Sequence, residues 1–194
     1  MNRIEGEAKP YLTPMIAGES VALNLTAQVA VARWLALKVM VVEHTDQELA
    51  VTTLEDRIAF MERGQIPPYY RIYVGGHRSK SDMGYLRHSA TASLDLTGPV
   101  PPLNGMRRNV QQVSFLAGRM FSHVNAARID GFDIEDRVKI PFVHDYMRLW
   151  PMQRFTFNFP EGMLIGDGEL QAMSNSWQAL RQSPHMAWGG ELPE

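Results

Sequence analysis

The groups able to do chemistry stand closest together in GGHRSKSDMGYLRH, Gly75 to His88, where His77, Asp82 and His88 lie among Arg78, Lys80 and Arg87. Two imidazoles and a carboxylate can hold a divalent cation, and cations beside it can fix a phosphodiester while metal-activated water attacks. The spacing lacks the i, i+4 histidine pair of a zinc helix, so the competing reading is a flexible charged hairpin loop. Ser114, His123 and Asp130 are the residue types of a catalytic triad, but no Gly-x-Ser-x-Gly elbow surrounds Ser114. The acidic residues Asp130, Asp133, Glu135 and Asp136 lack the alternating ligands of a calcium loop and read as a solvated turn. His144 and Asp145 are adjacent, which on a strand sends them to opposite faces. Neither glycine fingerprint for nucleotides is present. No catalytic residue, metal ligand or cofactor is therefore assigned. A metal-dependent phosphodiesterase built on His77, Asp82 and His88 stays an alternative.

Charge distribution says more than net charge. The 194 residues sum to −2 and contain no cysteine, which excludes disulfides, thiol nucleophiles and thiolate metal sites. Lys and Arg against Asp and Glu number 6 against 9 in residues 1–63, 8 against 2 in residues 64–128, and 5 against 10 in residues 129–194. The basic middle consists of Arg71, Arg78, Lys80, Arg87, Arg107, Arg108, Arg119 and Arg128, seven of the eight being arginine. A guanidinium fork grips phosphate or carboxylate bidentately, so this bias suits an anionic partner. The opposing reading is that the acidic flanks fold back and neutralise the middle within one domain.

Elements that must position these residues follow from periodicity. Thr26 to His44 reads as a largely buried helix with Thr26 as N-cap; Arg33 and Lys38 interrupt it too often for a membrane span. Each of those cations is expected to reach solvent or an acid on a neighbouring helix. Ile4 to Ile16 is expected to be cut by Pro10 and Pro14 into a helical turn and an extended piece. Thr53 to Arg63 spaces Leu54, Ile58 and Met61 helically, with Glu55 and Asp56 in its first turn and Gly64 as its stop.

After Pro68 the character turns to β. Tyr69 to Gly76 and a run from Ser89 read as strands, and Asn109 to Ala126 as a strand pair bent near Gly118 or one long strand bulged there. Lys139 to Val143, Met147 to Trp150 and Arg154 to Phe159 are shorter strands, Glu169 to Arg181 is a helix, and the tail from Ser183 is loosely ordered. The expected architecture is α+β: N-terminal helices on a mainly antiparallel sheet, with a C-terminal helix. One domain holds a helical part (1–65), a mainly β part (66–160) and a helix with tail (161–194). Trp34, Tyr73, Phe115, Phe121, Trp150 and Phe157 are assigned to packing.

Three stretches carry a resemblance. MNRIEGEAKPYLTPMIAGE followed by RWLALK supplies Met1, Ile4, Glu5, Pro10, Pro14, Ile16, Gly18, Trp34 and Lys38; further on stand IPP (66–68), LWP (149–151) and NFP (158–160). In order and spacing these are similar to the region downstream of the zinc ribbon in bacterial and phage HNH-endonuclease-like proteins. In that family the cysteines and the His-Asn-His site would precede Met1, so the resemblance transfers no catalytic residue. It implies a phage or mobile-element protein in contact with DNA or a DNA-handling complex.

The expected function is a non-catalytic cytoplasmic binding domain that contacts nucleic acid, or a nucleic-acid-handling complex, through Arg71, Arg78, Lys80, Arg87, Arg107, Arg108 and Arg119. No membrane and no cofactor are expected, and the start MNRIEGEAKP has no secretory pattern. An alternative is an inhibitor of a host defence complex that binds protein rather than DNA.

Overall fold

Ile4, Ala8, Leu12 and Met15 recur on one helical face and are all buried, and the helix they define is continuous. The computed structural model describes residues 2–93, 108–129, 147–162, 164–181 and 187–189, and in it α1 spans Asn2–Ala17 with both Pro10 and Pro14 inside. The expected break is thus corrected. Each internal proline costs about 3 kcal/mol, but Pro10 lies on the exposed side. Burying Ile4, Leu12 and Met15 returns roughly 1.5–3 kcal/mol apiece. Gly18, at φ 81°, closes α1: its N–H bonds Met15 O at 3.1 Å and the next N–H, of Glu19, bonds Pro14 O at 2.9 Å. Those paired bonds define a Schellman stop.

A short strand that periodicity did not reveal, β1 (Val21–Asn24), leads into α2 (Leu25–Thr45). The N-cap of α2 is Asn24 rather than Thr26, because the Asn24 side chain accepts the Ala27 N–H at 2.9 Å. Twelve residues of α2 are buried, so a helix long and apolar enough to cross a membrane serves here as a core helix. Its two cations behave as charged groups on such a helix must. Lys38 pairs with Glu5 of α1 at 2.9 Å, and Arg33 donates to Gly64 O at 3.0 Å.

α3 (Leu54–Arg63) has Thr53 as N-cap and Gly64 in the left-handed conformation as its stop. Its apolar stripe is not a core face: Leu54, Ile58 and Met61 are all exposed and Phe60 is the buried residue.

Most of the β structure is one ribbon. β2 (Tyr70–Ser93) pairs antiparallel with β3 (Val110–Ala127), from Tyr70↔Ala126 at one end to Ala90↔Val110 at the other. Gly75–His88 is therefore strand and not a flexible loop. Register shifts between Gly76 and Ser81 and again between Ser81 and Gly84, opposite Gly118 at φ 57°, bend the ribbon there. Eighteen extended residues would span about 60 Å, yet Arg128 N–H donates to Asn109 O at 2.7 Å, so the two ends of β3 meet. The ribbon is folded in two about Gly118.

β4 (Met147–Trp150) adds to β2, and β5 (Thr156–Phe159) pairs with β1, setting Leu23 opposite Phe157. The peptide bonds Trp150–Pro151 and Phe159–Pro160 are cis. α4 (Asp167–Arg181) follows, and β6 (Ala187–Gly189) pairs with residues 91–93 of β2, so this part of the tail is a strand. The architecture is α+β with antiparallel strand pairing, N-terminal helices against the sheet and a C-terminal helix. One apolar cluster joins α1 and α2 to Tyr70, Ile72 and Val74 of β2, Met120 and Val124 of β3, and Phe157 and Phe159 of β5.

The residues expected to be strand at 139–143, the acidic residues Asp130, Asp133, Glu135 and Asp136, His144, Asp145 and Arg107 lie outside the described residues.

Candidate functional site

Folding the ribbon sorts the basic residues into two groups. At the bend, Ser81 is opposite Gly118, which places Arg78, Lys80 and Arg119 nearby. Arg78 is tied down: its guanidinium donates to Glu169 Oε1 at 2.8 Å and Leu164 O at 2.9 Å. The Glu169 carboxylate, which also accepts the Gly166 N–H at 2.9 Å, is held below the usual range by backbone hydrogen bonds first and by Arg78 second. Arg119 donates to Arg78 O at 3.1 Å. Lys80 is exposed and has no hydrogen bond or ion pair to a described residue.

The open end of the folded ribbon gathers the other group. Arg87 donates to Leu49 O and to Gln111 Oε1, and Arg128 donates to Val51 O at 3.1 Å. Two guanidinium groups 41 positions apart in sequence thus converge on carbonyls two residues apart. Arg128 also lies over the Tyr69 ring at 6.0 Å, and its own N–H joins the residue after Arg108. Arg71 donates to Pro68 O at 2.9 Å and Tyr70 O at 3.0 Å, one rung from the same end. Burial lowers the pKa of Arg87, and the carboxylate of Glu43 opposes that shift. A guanidinium remains charged regardless.

Beneath this end lies a buried carboxylate. Glu43 is fully inaccessible; Oε1 accepts from Val51 N–H (2.9 Å), Thr52 N–H (3.0 Å) and Gln111 Nε2 (2.6 Å), and Oε2 from Arg57 at 2.6 Å. Arg57 also reaches Met40 O at 2.9 Å. The network fastens the 49–52 segment, on which Arg87 and Arg128 rest, to α2 and β3.

His77, Asp82 and His88 do not form a site. His77 Nδ1 is 2.6 Å from Ser79 O and its Nε2 is 3.8 Å from Asp167 Oδ1, whereas His88 is eleven positions further along β2, opposite Gln112. Among the described residues no three His, Asp or Glu side chains come together as a metal site would need.

No family model, curated protein or solved structure matches this chain.

Ser114 and His123 are brought together. They lie nine residues apart on β3, but the fold in the ribbon sets Ser114 Oγ 2.8 Å from His123 Nδ1. Asp130 lies outside the described residues. Burial lowers the His123 pKa to about 4, the Asn125 side chain opposing the shift and His88 adding to it. A ring kept neutral by burial holds a fixed hydrogen bond with Ser114.

A pH effect follows, with its sign fixed by the depressed value. The unfolded imidazole, near pKa 6.5, takes up a proton before the folded one does, so stability is complete above about pH 6.5 and falls until about pH 4. The loss sums to about 3 kcal/mol. Urea unfolding across this range should show His123→Phe with a shallower decline than the parent chain. Parallel profiles would mean that the ring is not buried in neutral form.

Proposed function

We propose that this chain is a non-catalytic binding domain that contacts nucleic acid through the open end of its folded ribbon. The observation that carries the reading is the convergence of Arg87 and Arg128 on the 49–51 segment, with Arg108 and Arg71 beside them. Carbonyl hydrogen bonds hold part of the Arg87 and Arg128 forks, so these two cations are pre-oriented. Arg78 of the bend group is already paired with the Glu169 carboxylate, which offsets its charge and makes that group the weaker anion site. The likeness of residues 1–19, 33–38, 66–68, 149–151 and 158–160 to HNH-endonuclease-like proteins supports a DNA-handling setting and a phage or mobile-element origin; a cytoplasmic location is part of the same proposal.

Binding of a single-stranded oligonucleotide at several salt concentrations tests the proposal. Arg108→Ala with Arg128→Ala should weaken binding and reduce the salt slope by about 2. Lys80→Ala with Arg119→Ala should change both much less. An unchanged slope in the first variant would overturn the assignment. Retention of a protein complex with no oligonucleotide binding would replace it with the inhibitor reading.

A further inference from the structure

The inner surface of the folded ribbon carries polar groups that the anionic-partner reading does not use. On β3, residues 112, 114 and 116 point inward from one half, and Phe121, His123 and Asn125 from the other, with Tyr73 opposite His123. Between the halves and α4 lies a cavity of about 270 Å³, lined by Leu86, Gln112, Ser114, Leu116, His123 and Met173 among others. Tyr85 and Leu86, both exposed, stand at its rim. Its walls are mainly apolar, but its floor is not.

Gln112 and His123 on that floor each carry a polar atom without a partner, and the His88 ring lines the same cavity. Gln112 is 4% exposed and His123 2% exposed; Gln112 Nε2 and His123 Nε2 meet no partner in full hydrogen-bond geometry among the described residues, the Asn125 amide being the polar group of the chain that acts on the His123 ring. An orphaned buried donor costs about 1–3 kcal/mol, so two in one cavity call for an occupant. Gln112 Nε2 can only donate. His123 Nε2 also donates in the tautomer whose Nδ1 accepts a hydrogen bond from the Ser114 hydroxyl, which their 2.8 Å contact permits. The complement of two donors is an oxygen acceptor, and the complement of the walls is a hydrocarbon body. An apolar cavity of roughly 150 Å³ admits benzene, so this one admits a molecule of roughly ten non-hydrogen atoms.

We propose that the cavity is a small-molecule site for a mainly apolar compound bearing a carbonyl oxygen, with Gln112 and His123 donating to that oxygen. Ser114 is a positioning residue that fixes the tautomer of His123. The site is separate from the arginines of the open end.

Acetophenone and α-methylstyrene make a matched probe pair, differing only in that a methylene replaces the carbonyl oxygen. Titration followed by side-chain ¹H–¹⁵N NMR should give saturable shifts of the Gln112 amide and His123 imidazole with acetophenone. Binding of α-methylstyrene should be about tenfold weaker. Gln112→Met should remove that preference. Leu170→Trp fills the space from α4 with both donors intact and should abolish binding of either probe. Equal affinity for the two probes, no saturable shift with acetophenone, or acetophenone binding that survives Leu170→Trp would each overturn the proposal. Circular dichroism confirms that each variant is folded, and the probe pair on the parent chain decides the matter if Gln112→Met is not.

Discussion

Glu43→Ala is expected to lower folding stability by about 3–5 kcal/mol, among the largest effects of any single substitution in this chain. Its carboxylate is fully buried and accepts from the Val51 and Thr52 N–H groups, the Gln111 amide and the Arg57 guanidinium, of which only Arg57 has further acceptors, at Met40 O and Thr52 O. Removing it orphans three buried donors and leaves a cation with 24% side-chain exposure short of its counter-ion. Glu43→Gln keeps an acceptor for the two backbone N–H groups and should lose less than the alanine variant. Urea unfolding with an unchanged m-value measures both. A loss below about 1 kcal/mol for Glu43→Ala would show that water satisfies these donors and that the network does not hold the 49–52 segment.

Gly118→Ala is expected to cost about 4 kcal/mol, from two independent causes. At φ 57° the residue is left-handed, which an L side chain resists by about 1–2 kcal/mol. In addition, an added Cβ would stand 2.2 Å from the backbone oxygen of Ile16, at the end of α1, where no side-chain rotation can relieve the clash. Overpacking of that kind adds about 1–3 kcal/mol. Gly84 supplies the control: it lies on the paired strand, has nothing within 4 Å of a new Cβ, and its alanine variant should stay within about 0.5 kcal/mol of the parent. Equal losses at the two positions would remove the claim that α1 is seated on the bend.

Legibility of this chain from its sequence followed how local each determinant is. α3 was readable nearly to the residue because its cap Thr53 and stop Gly64 lie beside it. Gly118 announced the irregularity in β3 for the same reason. Continuity of α1 was not readable, since the burial that outweighs Pro10 and Pro14 comes from α2 and β3. Gly75 to His88 reads as a loop because its side chains are largely polar; residues 78–80 and 82–86 are exposed, so alternation, the usual mark of a strand, is absent. The candidate groups behaved likewise. Nothing in the spacing of Ser114 and His123 shows that a nine-residue separation on an extended strand ends in a hydrogen bond, because the contact requires the ribbon to double back. Nor could the basic tally show which arginines converge, since that depends on Leu49 and Val51, outside the basic segment.

Pairing of β1 with β5 bears on how the chain is made. Leu23 of β1 packs opposite Phe157, and Gln28, buried in α2, donates to Arg154 O and Phe155 O, so the helical third completes its contacts only with residues near position 157. At 5–20 residues per second, a ribosome needs roughly 6–23 s to pass from the end of α2 to the end of β5. For that interval β1 has no strand to pair with and Gln28 lacks the carbonyls of Arg154 and Phe155. A nascent chain halted at about residue 150 should therefore recruit holdase chaperones and be cut readily by protease, and release from both should come once β5 has left the exit tunnel.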